Sequence, residues 1–254
     1  GAGWGGLTLA IGLAGFGHDV VLIEGGQVGG DCTNVGCIPS KALLHAARSG
    51  IDEPLAWTRA KRDDLARRED DEMAHDERIH LVRGWASLTS SGGPHLVQVD
   101  SGTATGFVRA DHVVIAGGSQ PVTIDIEGLT GDRVVTNEEL FELEAAPDTL
   151  LIVGGGAIAI EMATAFAALG TRVHVVEPAG RLLASEDPLI TEVVERSLEA
   201  HGVQLHLGTS VERAMEAART PASEPVLRVG CIQVVGVEML PAALARLERT
   251  AAPG

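Results

Sequence analysis

Two cysteines separated by four residues are the side chains of this sequence with the clearest capacity for chemistry. Cys32 and Cys37 enclose the residues Thr-Asn-Val-Gly. Residues five apart in a regular helix rise about 7.5 Å along its axis, which is beyond the usual Cα separation of a disulfide. A bridge therefore needs irregular backbone, which Asn34, Gly36 and Pro39 favour. The spacing alone leaves two hypotheses open, a redox-active pair and two unlinked buried cysteines.

The residues that follow the pair bear on the reactivity of Cys37. Pro39 favours the first turn of a helix, so Cys37 is predicted to lie near a helix N-terminus. The positive end of the helix dipole favours a thiolate at that position. The third cysteine, Cys231, is interpreted as a core or tail residue, and three cysteines are too few for a disulfide framework.

Two glycine-rich segments point to a second kind of chemistry, the binding of dinucleotides. In each segment glycines open a predicted helix, and an acidic residue follows the first glycine by 23 residues. Glycine lets a pyrophosphate approach the backbone at a helix N-terminus, and the acidic side chain accepts the ribose hydroxyls. Two such segments predict two dinucleotides, the alternative being an ordinary doubly wound sheet with chance glycines. The first set is Gly1, Gly3, Gly6 and Glu24, and the second is Gly154, Gly156, Ala159 and Glu177.

The second set contains opposing signals about the nicotinamide cofactor. Glu177 repels a 2′-phosphate and so favours NAD, whereas the small Ala159 at the third glycine position is typical of many NADP sites. We give Glu177 more weight because its charge acts directly on the phosphate that distinguishes the two cofactors. Arg172 and Arg181 are the nearby residues that could offset that charge.

An internal repeat with an offset of 153 residues shows which elements must position these side chains. Each copy predicts a glycine turn, a helix and a short apolar strand, the two strands covering residues 20–23 and 173–176. Residues 150–153 predict the strand that enters the second copy, whereas Gly1 has no such strand before it. The elements predict parallel sheets with crossover helices.

The segments outside the repeat add structure without chemistry. Alternating charges predict an exposed helix over residues 53–78. Strand-like patterns follow at residues 81–88, 96–99 and 112–116. Residues 119–121 mark a predicted domain crossing, so the expected domains are 1–121 and 122–220, with 221–254 an unassigned tail.

A second group of signals predicts one more helix and strand. Asp187 and Pro188 form an N-cap and first turn, apolar residues follow at helical spacing, and Gly202 ends the helix. Residues 203–207 then read as a strand.

Charge and hydropathy exclude several classes of function. The 19 basic residues against 35 acidic residues give a formal net charge of −16, which repels phosphate backbones and anionic lipid surfaces. The uncharged opening, residues 1–17, is shorter than a membrane-spanning helix of about 20 residues and lacks the basic flank of a signal peptide. We expect a cytoplasmic protein that binds neither nucleic acid nor membrane, and we predict no metal site.

Residues 29–44 carry a resemblance to a known family. Their sequence, Gly-Gly-Asp-Cys-Thr-Asn-Val-Gly-Cys-Ile-Pro-Ser-Lys-Ala-Leu-Leu, resembles the redox-active segment of the class I pyridine nucleotide-disulfide oxidoreductases, and the similarity extends over residues 1–207. The resemblance implies FAD in the first site, NAD(P)H in the second, with NADH favoured, and a redox-active disulfide between Cys32 and Cys37. Cys32 is then the thiol that attacks the substrate, and Cys37 the thiolate that contacts the flavin.

The resemblance also assigns roles to a charged pair. Lys41 matches the family lysine beside the flavin, and Glu161 matches the glutamate that pairs with it. The residues themselves favour this pairing, because Lys41 is one of only two lysines and Glu161 interrupts an apolar helix where an unpaired carboxylate is costly. The expected result is a buried ion pair, the alternative being two separate surface charges. The remaining FAD contacts that the resemblance implies are Gly30, Asp31, Gly118 and Ser119.

The branch that the segment resembles best is that of dihydrolipoamide dehydrogenase, which implies a small-molecule or lipoyl disulfide as substrate. A mercuric reductase-like enzyme is the alternative, and a dinucleotide-binding fragment without catalysis is a third hypothesis. Full-length members of the family are expected to form homodimers.

Departures from the family pattern qualify these expectations. Asp31 stands where the family often has threonine, and Gly117 replaces the threonine of an Ala-Thr-Gly-Ser turn. The later flavin-binding segments and the acid-base histidine are not found, and neither His201 nor His206 matches it. We therefore expect an α/β chain of two Rossmann-like, three-layer domains without the C-terminal interface domain, truncated at both ends, in which homodimer formation is doubtful.

Overall fold

The structure of the protein, a computed structural model, consists of helices alternating with parallel strands and one antiparallel sheet. It describes residues 1–89, 95–121 and 134–209, together with the backbone of residues 226–230. This arrangement confirms the predicted α/β class. Within the described residues, no helix combines the length and the hydropathy that crossing a membrane requires.

The chain folds into two compact units. The first comprises Gly1–Pro39 and Arg59–Gly118, and the second comprises Ser40–Thr58 and Ser119–Gly254. The sequence instead predicted that all of residues 1–121 form one domain. Residues 40–58 belong to the second unit. The reason is that Leu43 and Leu55, almost fully buried, belong to the hydrophobic core of the second unit.

The first unit starts with the first copy of the sequence repeat, which forms a glycine turn, a helix and a strand. In chain order the elements up to the end of this unit are α1 (Trp4–Gly15), β1 (Val20–Glu24), α2 (Gly30–Asn34), α3 (Cys37–Ser49), α4 (Pro54–His75), β2 (Ile79–Arg83), β3 (Trp85–Thr89), β4 (His95–Asp100) and β5 (Thr105–Ala110). β1 and β2 pair in parallel, and β3, β4 and β5 form an antiparallel sheet. The unit boundaries fall inside α3 and α4, so these helices contribute residues to both units.

The core of the first unit lies between α1, the first parallel strands and the second half of α4. Leu7 and Ala10 of α1 pack with Leu22 of β1, Ile79 of β2 and Met73 of α4. Burial of each large side chain contributes roughly 1.5–3 kcal/mol. The predicted helix over residues 53–78 is confirmed as α4, and Met73 is its buried residue in the core of the first unit.

Two strand predictions in this unit were wrong. The pattern at residues 81–88 divides at Gly84, which has a φ of +150° and lies against the carbonyl of Asp100, so the two halves join different sheets. Residues 112–116 form no strand. Val114 and Ile115 are 58% and 68% exposed, and no described strand pairs with them to satisfy their backbone groups.

The second unit contains a parallel sheet of five strands. Its further elements are β6 (Val134–Val135), α5 (Asn137–Leu140), β7 (Thr149–Val153), α6 (Ala157–Ala168), β8 (Arg172–Glu177), α7 (Pro188–Ala200), β9 (Gln204–Leu207) and β10 (Val226–Gly230). The strand order is β6-β10-β7-β8-β9. β10 lies in the segment left unassigned by the sequence reading, and it pairs in parallel with both β6 and β7.

The core of the second unit explains its continuous apolar strands. All five residues of β7 are buried, as expected for a strand that is covered on both faces. Met162 and Phe166 of α6 are fully buried against this sheet. The predicted α7 is confirmed, with Asp187 Oδ1 accepting a hydrogen bond from the Leu189 backbone N–H at 2.8 Å.

A pair of histidines links two strands at the edge of this sheet. His174 of β8 is 5% exposed, and its Nδ1 lies 3.1 Å from Nε2 of His206 of β9. Burial lowers the pKa of His174 below its ordinary value, and the positive charges of protonated His206 and of Arg172 lower it further. His174 is therefore favoured as a neutral ring, which can share one hydrogen bond with His206.

We predict that this pair makes the stability of the second unit depend on pH. Because the folded state lowers the pKa of His174, the unfolded chain binds the proton more readily, and stability is lost as the pH falls below about 6.5. The thermal unfolding midpoint, followed by circular dichroism, should fall between about pH 7 and about pH 5.5, and His174→Gln should flatten that dependence. The control is His18→Gln, which alters an exposed histidine. Equal pH dependence in the His174→Gln variant and the unchanged protein would contradict the prediction.

Candidate functional site

The N-terminus of α1 forms the first predicted nucleotide turn. Gly3 caps α1 in an extended conformation, no side chain caps the helix, and its first turn contains no acidic residue. A Cβ on Gly6 would lie 1.8 Å from the carbonyl oxygen of Gly1, so glycine is required for the turn to close. The first backbone N–H groups of this 12-residue helix are therefore free to donate to a phosphate.

Glu24 closes this turn from the end of β1. Its two carboxylate oxygens accept hydrogen bonds from the backbone N–H groups of Ala2 at 2.5 Å and Gly26 at 2.6 Å. The carboxylate is half-buried, and each oxygen keeps a further lone pair with which it can accept a ribose hydroxyl.

A cavity of about 360 Å³ adjoins Glu24. Trp85 forms one wall, because its indole ring lies so close to Gly25 that a Cβ there would come within 2.6 Å of it. The ring is 70% exposed and so offers a face on which a planar base can stack. The sequence reading missed Trp85, although its position directly after the glycine that ends β2 was a usable signal. The lining residues are Glu24, Gly25, Gly26, Arg83, Gly84, Trp85, Asp100, Ser101 and Gly102.

The second unit repeats this carboxylate geometry at the end of β8. Glu177 accepts hydrogen bonds from the backbone N–H groups of Gly155 and Ala179, each at 2.7 Å. Gly156 caps α6 in the extended conformation that Gly3 has at α1, again without a side-chain cap, and Ala159 is buried in the first turn. The two copies of the sequence repeat thus form the same pair of hydrogen bonds from backbone N–H groups to a carboxylate.

The structure corrects the expectation that Arg172 could offset the charge of Glu177. These residues begin and end the same strand, so their Cα atoms lie about 17 Å apart. Arg181 lies nearer in the chain, but its guanidinium donates to the carbonyl of Ala184 at 2.5 Å. Neither arginine therefore forms an ion pair with Glu177 in the part of the chain that the structure describes.

The two cysteines lie on consecutive helices. Cys32 is in the short helix α2 and is half-buried, whereas Cys37 begins α3 and is exposed. Both are free thiols, so the disulfide that the resemblance implies is not formed in this structure, and the two side chains are hydrogen-bonded to each other. The irregular backbone between them depends on Gly36, where a Cβ would lie 2.8 Å from the Asp31 carbonyl oxygen. Cys231 lies outside the described residues.

Asn34 holds the turn that carries Cys32. It is 9% exposed, and its side-chain amide donates to the carbonyls of Val28 at 3.0 Å and Gly30 at 2.9 Å. The sequence reading recognised Asn34 only as a turn former. Its buried amide instead ties both ends of the segment that precedes Cys32.

The surroundings of Cys32 disfavour its thiolate. Burial, which has the largest effect, and the side-chain hydrogen bond and charge of Cys37 together raise the pKa of the Cys32 thiol to about 11. A backbone hydrogen bond from Cys37 lowers the pKa of Cys32, whereas the negative charge of the Glu69 carboxylate raises it. At neutral pH the Cys32 thiol is therefore protonated, and its reaction as a nucleophile requires removal of that proton.

Lys41 and Glu161 form the expected ion pair within the second unit. Lys41 Nζ lies 2.7 Å from Oε1 and 2.9 Å from Oε2 of Glu161. The expectation of burial was wrong, because the Lys41 side chain is 60% exposed and the Glu161 side chain 29%. Glu161 sits on the open side of α6, so water can screen the pair.

The other predicted FAD residues are less defined by contacts. Asp31 is exposed in the first turn of α2. Gly118 has a φ of +70°, and Ser119 follows it in a segment without helix or strand. Gly30 is the exception, because a Cβ there would lie 2.7 Å from Cα of Gly3, which places the cysteine segment directly against the first glycine turn. Among the residues that the structure describes, no cluster of side chains is suited to hold a metal ion.

Two glycine turns closed by carboxylates, with a cysteine pair attached to the first of them, define a class of dinucleotide-binding α/β proteins with a dithiol. Comparison with known families agrees with this class. Residues 1–237 match the pyridine nucleotide-disulphide oxidoreductase family, and the chain belongs to it.

Individual relatives fall in several branches of that family. The chain is 31% identical over 240 residues to the dihydrolipoyl dehydrogenase of Bacillus subtilis, covering 87% of this chain and 52% of that protein. It is 32% identical to the mercuric reductase of Streptomyces lividans, covering 83% and 48%. Its fold is similar to that of the HOCl-induced flavoprotein disulfide reductase RclA from Escherichia coli in a Cu(II) complex, with a TM-score of 0.74, 30% identity and coverage of 83% and 48%. The chain thus spans about half the length of the relatives it matches.

The exposure of the Lys41–Glu161 pair predicts a small contribution to stability. Glu161→Gln should lower the free energy of unfolding by less than about 1 kcal/mol in urea denaturation without added nucleotide. A matched control is Glu192→Gln, which removes the exposed partner of Arg196 at 2.8 Å. A loss above about 3 kcal/mol for Glu161→Gln alone would indicate a buried pair and contradict the prediction.

Proposed function

We propose that this protein acts as an FAD-dependent disulfide oxidoreductase that passes electrons from NADH to the Cys32–Cys37 pair, in the manner of a dihydrolipoamide dehydrogenase. The observation that carries the proposal is the attachment of the pair to a nucleotide turn. Gly3 and Gly29 form a parallel backbone bridge, and Gly30 lies in van der Waals contact with Gly3. A dinucleotide bound at α1 would therefore lie beside the segment that carries the thiols.

The first unit fits the adenosine end of FAD. The free N–H groups of α1 suit the pyrophosphate, Glu24 suits the ribose hydroxyls, and the exposed face of Trp85 suits the adenine. When bound, FAD would supply hydride acceptance from NADH and a two-electron transfer to the disulfide. Lys41, held by Glu161, is the residue that we assign to the flavin ring.

The second unit fits the nicotinamide dinucleotide. Its turn offers the free N–H groups of α6 and the charged carboxylate of Glu177. A 2′-phosphate at this ribose would meet that negative charge, so the unit favours NADH over NADPH.

The thiols then carry the exchange with the substrate. Once its proton is removed, the Cys32 sulfur attacks one sulfur of a substrate disulfide, the substrate S–S bond breaks, and the first substrate thiolate leaves and takes up a proton. Cys37, also deprotonated, attacks the Cys32 sulfur, which releases the second substrate thiol and restores the Cys32–Cys37 disulfide. The balance is one NADH, one proton and one disulfide consumed, and one NAD⁺ and two thiols formed.

The finer assignments are also part of the proposal. We assign a small-molecule or lipoyl disulfide as substrate and a homodimer as the state of the complete family member, in a cytoplasmic location. A mercuric reductase-like activity is the second candidate, because the Streptomyces relative with that name is as similar in sequence as the dehydrogenase.

Turnover tests the proposal directly. The 254-residue chain supplied with FAD should oxidise NADH in the presence of a small disulfide, and both Cys32→Ser and Cys37→Ser should abolish thiol production, measured by a colorimetric thiol assay. Cys231→Ser is the matched control and should retain the rate. Nucleotide binding without any cysteine-dependent turnover would favour the non-catalytic alternative and contradict the proposal.

Glu177 should determine the choice of nicotinamide cofactor. Glu177→Gln keeps the shape of the side chain and removes its charge, so the ratio of kcat/KM for NADH to that for NADPH should fall about tenfold. The equivalent change in the first unit, Glu24→Gln, should weaken FAD binding and leave that ratio unchanged. An unchanged ratio in Glu177→Gln would contradict the assignment of NADH preference to this carboxylate.

A further inference from the structure

A partly buried hydrogen bond connects the cysteine segment to the long helix α4. Thr33, the residue after Cys32, is 2% exposed, and its Oγ1 donates to Oε2 of Glu69 at 2.9 Å. Glu69 is half-buried in the fifth turn of α4. Its position is separated from Thr33 by 36 residues in the chain, so helical periodicity around either residue gives no sign of the contact.

The same carboxylate reaches the beginning of α2. A Cβ on Gly29 would lie 2.5 Å from Oε2 of Glu69, which places this oxygen over the N-cap of the helix that carries Cys32. The neighbouring Asp70 forms an ion pair with Arg83 of β2, which fixes this turn of α4 in the first unit. Glu69 therefore contacts the cysteine segment on both sides of Cys32 from a fixed position.

We propose that Glu69 is a positioning residue for the redox pair, holding the α2 turn through Thr33 and placing its carboxylate against the segment that carries Cys32. The inference rests on the proposed role of the Cys32–Cys37 pair, but its test needs neither flavin nor nicotinamide. Failure of the test and failure of the proposed function are therefore distinguishable.

The charges around Cys32 within its own unit support this role. Burial and Cys37 raise the pKa of Cys32 most, and the charge of Glu69 raises it further. Asp31 on α2 is exposed to water, which screens its charge. α1, which packs against α2, has no charged side chain. Glu69 is half-buried, so water screens its charge less than that of Asp31. A substitution of Glu69 can therefore reveal the effect of its charge on the pKa of Cys32.

The charge of Glu69 affects the rate at which Cys32 reacts with disulfides. A neutral thiol attacks disulfides poorly, so the charge of Glu69 lowers spontaneous exchange until a base removes the proton of Cys32. The carboxylate acts on Cys32 across space and through Thr33, and its role is therefore one of positioning.

Alkylation of Cys32 as a function of pH tests the proposal. In a background of Cys37→Ser and Cys231→Ser, the Cys32 thiolate displaces iodide from iodoacetamide and forms a thioether, which mass spectrometry quantifies. Glu69→Gln keeps an acceptor for Thr33 and removes the charge, so alkylation at about pH 8 should be about threefold faster, corresponding to a pKa lower by about half a unit. Glu69→Asp, which keeps the charge, should stay close to the unchanged rate.

Two further variants separate charge from folding. Glu72→Gln removes an exposed carboxylate from the same helix and should leave the alkylation profile unchanged. Thr33→Val leaves Glu69 charged but releases it, so it should accelerate alkylation less than Glu69→Gln does, and this variant decides the case if Glu69→Gln fails to fold by circular dichroism. The proposal is overturned if Glu69→Gln leaves the profile unchanged, if Glu69→Asp accelerates alkylation as much as Glu69→Gln, or if folded Thr33→Val has no effect.

Discussion

A carboxylate at the end of a parallel strand, bonded to two backbone N–H groups, is the interaction on which both units depend. In the first unit Glu24 joins the glycine turn to the residues after β1, and in the second Glu177 does the same after β8. Each carboxylate fixes the turn that opens the following helix, so that the free N–H groups of α1 and α6 face the place where a pyrophosphate would bind. Under the proposed function, the charge of Glu177 would also disfavour a 2′-phosphate on the ribose.

The two copies differ in what is attached to the turn. In the first, the backbone of Gly29 and Gly30 contacts Gly3, and the cysteine segment continues from that contact. Asn34 and Glu69 then fix the segment from inside and from α4. These polar contacts explain why a short five-residue helix, too short to be stable alone, can hold the Cys32 thiol in a defined place. Burial, followed by Cys37 and then by the charge of Glu69, keeps the Cys32 thiol protonated at neutral pH, which makes proton removal a controlled step of the proposed exchange.

Local patterns in the sequence predicted the repeat, the glycine turns, the helices α4 and α7 and the membership of the family. They succeeded because each rests on neighbouring residues or on a fixed offset of 153 residues. The errors arose where distant contacts decide the outcome. Gly84 divides an apparent strand because the carbonyl of Asp100 lies against it, and residues 112–116 have a strand-like composition but no described partner strand. The exposure of the Lys41–Glu161 pair and the contact between Thr33 and Glu69 depend on tertiary packing, which no local pattern encodes.

The measurement that tests this account most directly is the visible absorption spectrum of the purified chain after addition of FAD, recorded before and after anaerobic addition of NADH. The account predicts a bound flavin spectrum that bleaches with NADH and gains a long-wavelength band, and it predicts that Cys37→Ser loses this band while still binding FAD. That result would place the nucleotide turn and the thiols in one electron path. A protein that stays colourless after removal of unbound FAD would contradict the claim that the turn closed by Glu24 holds a flavin next to the cysteine pair.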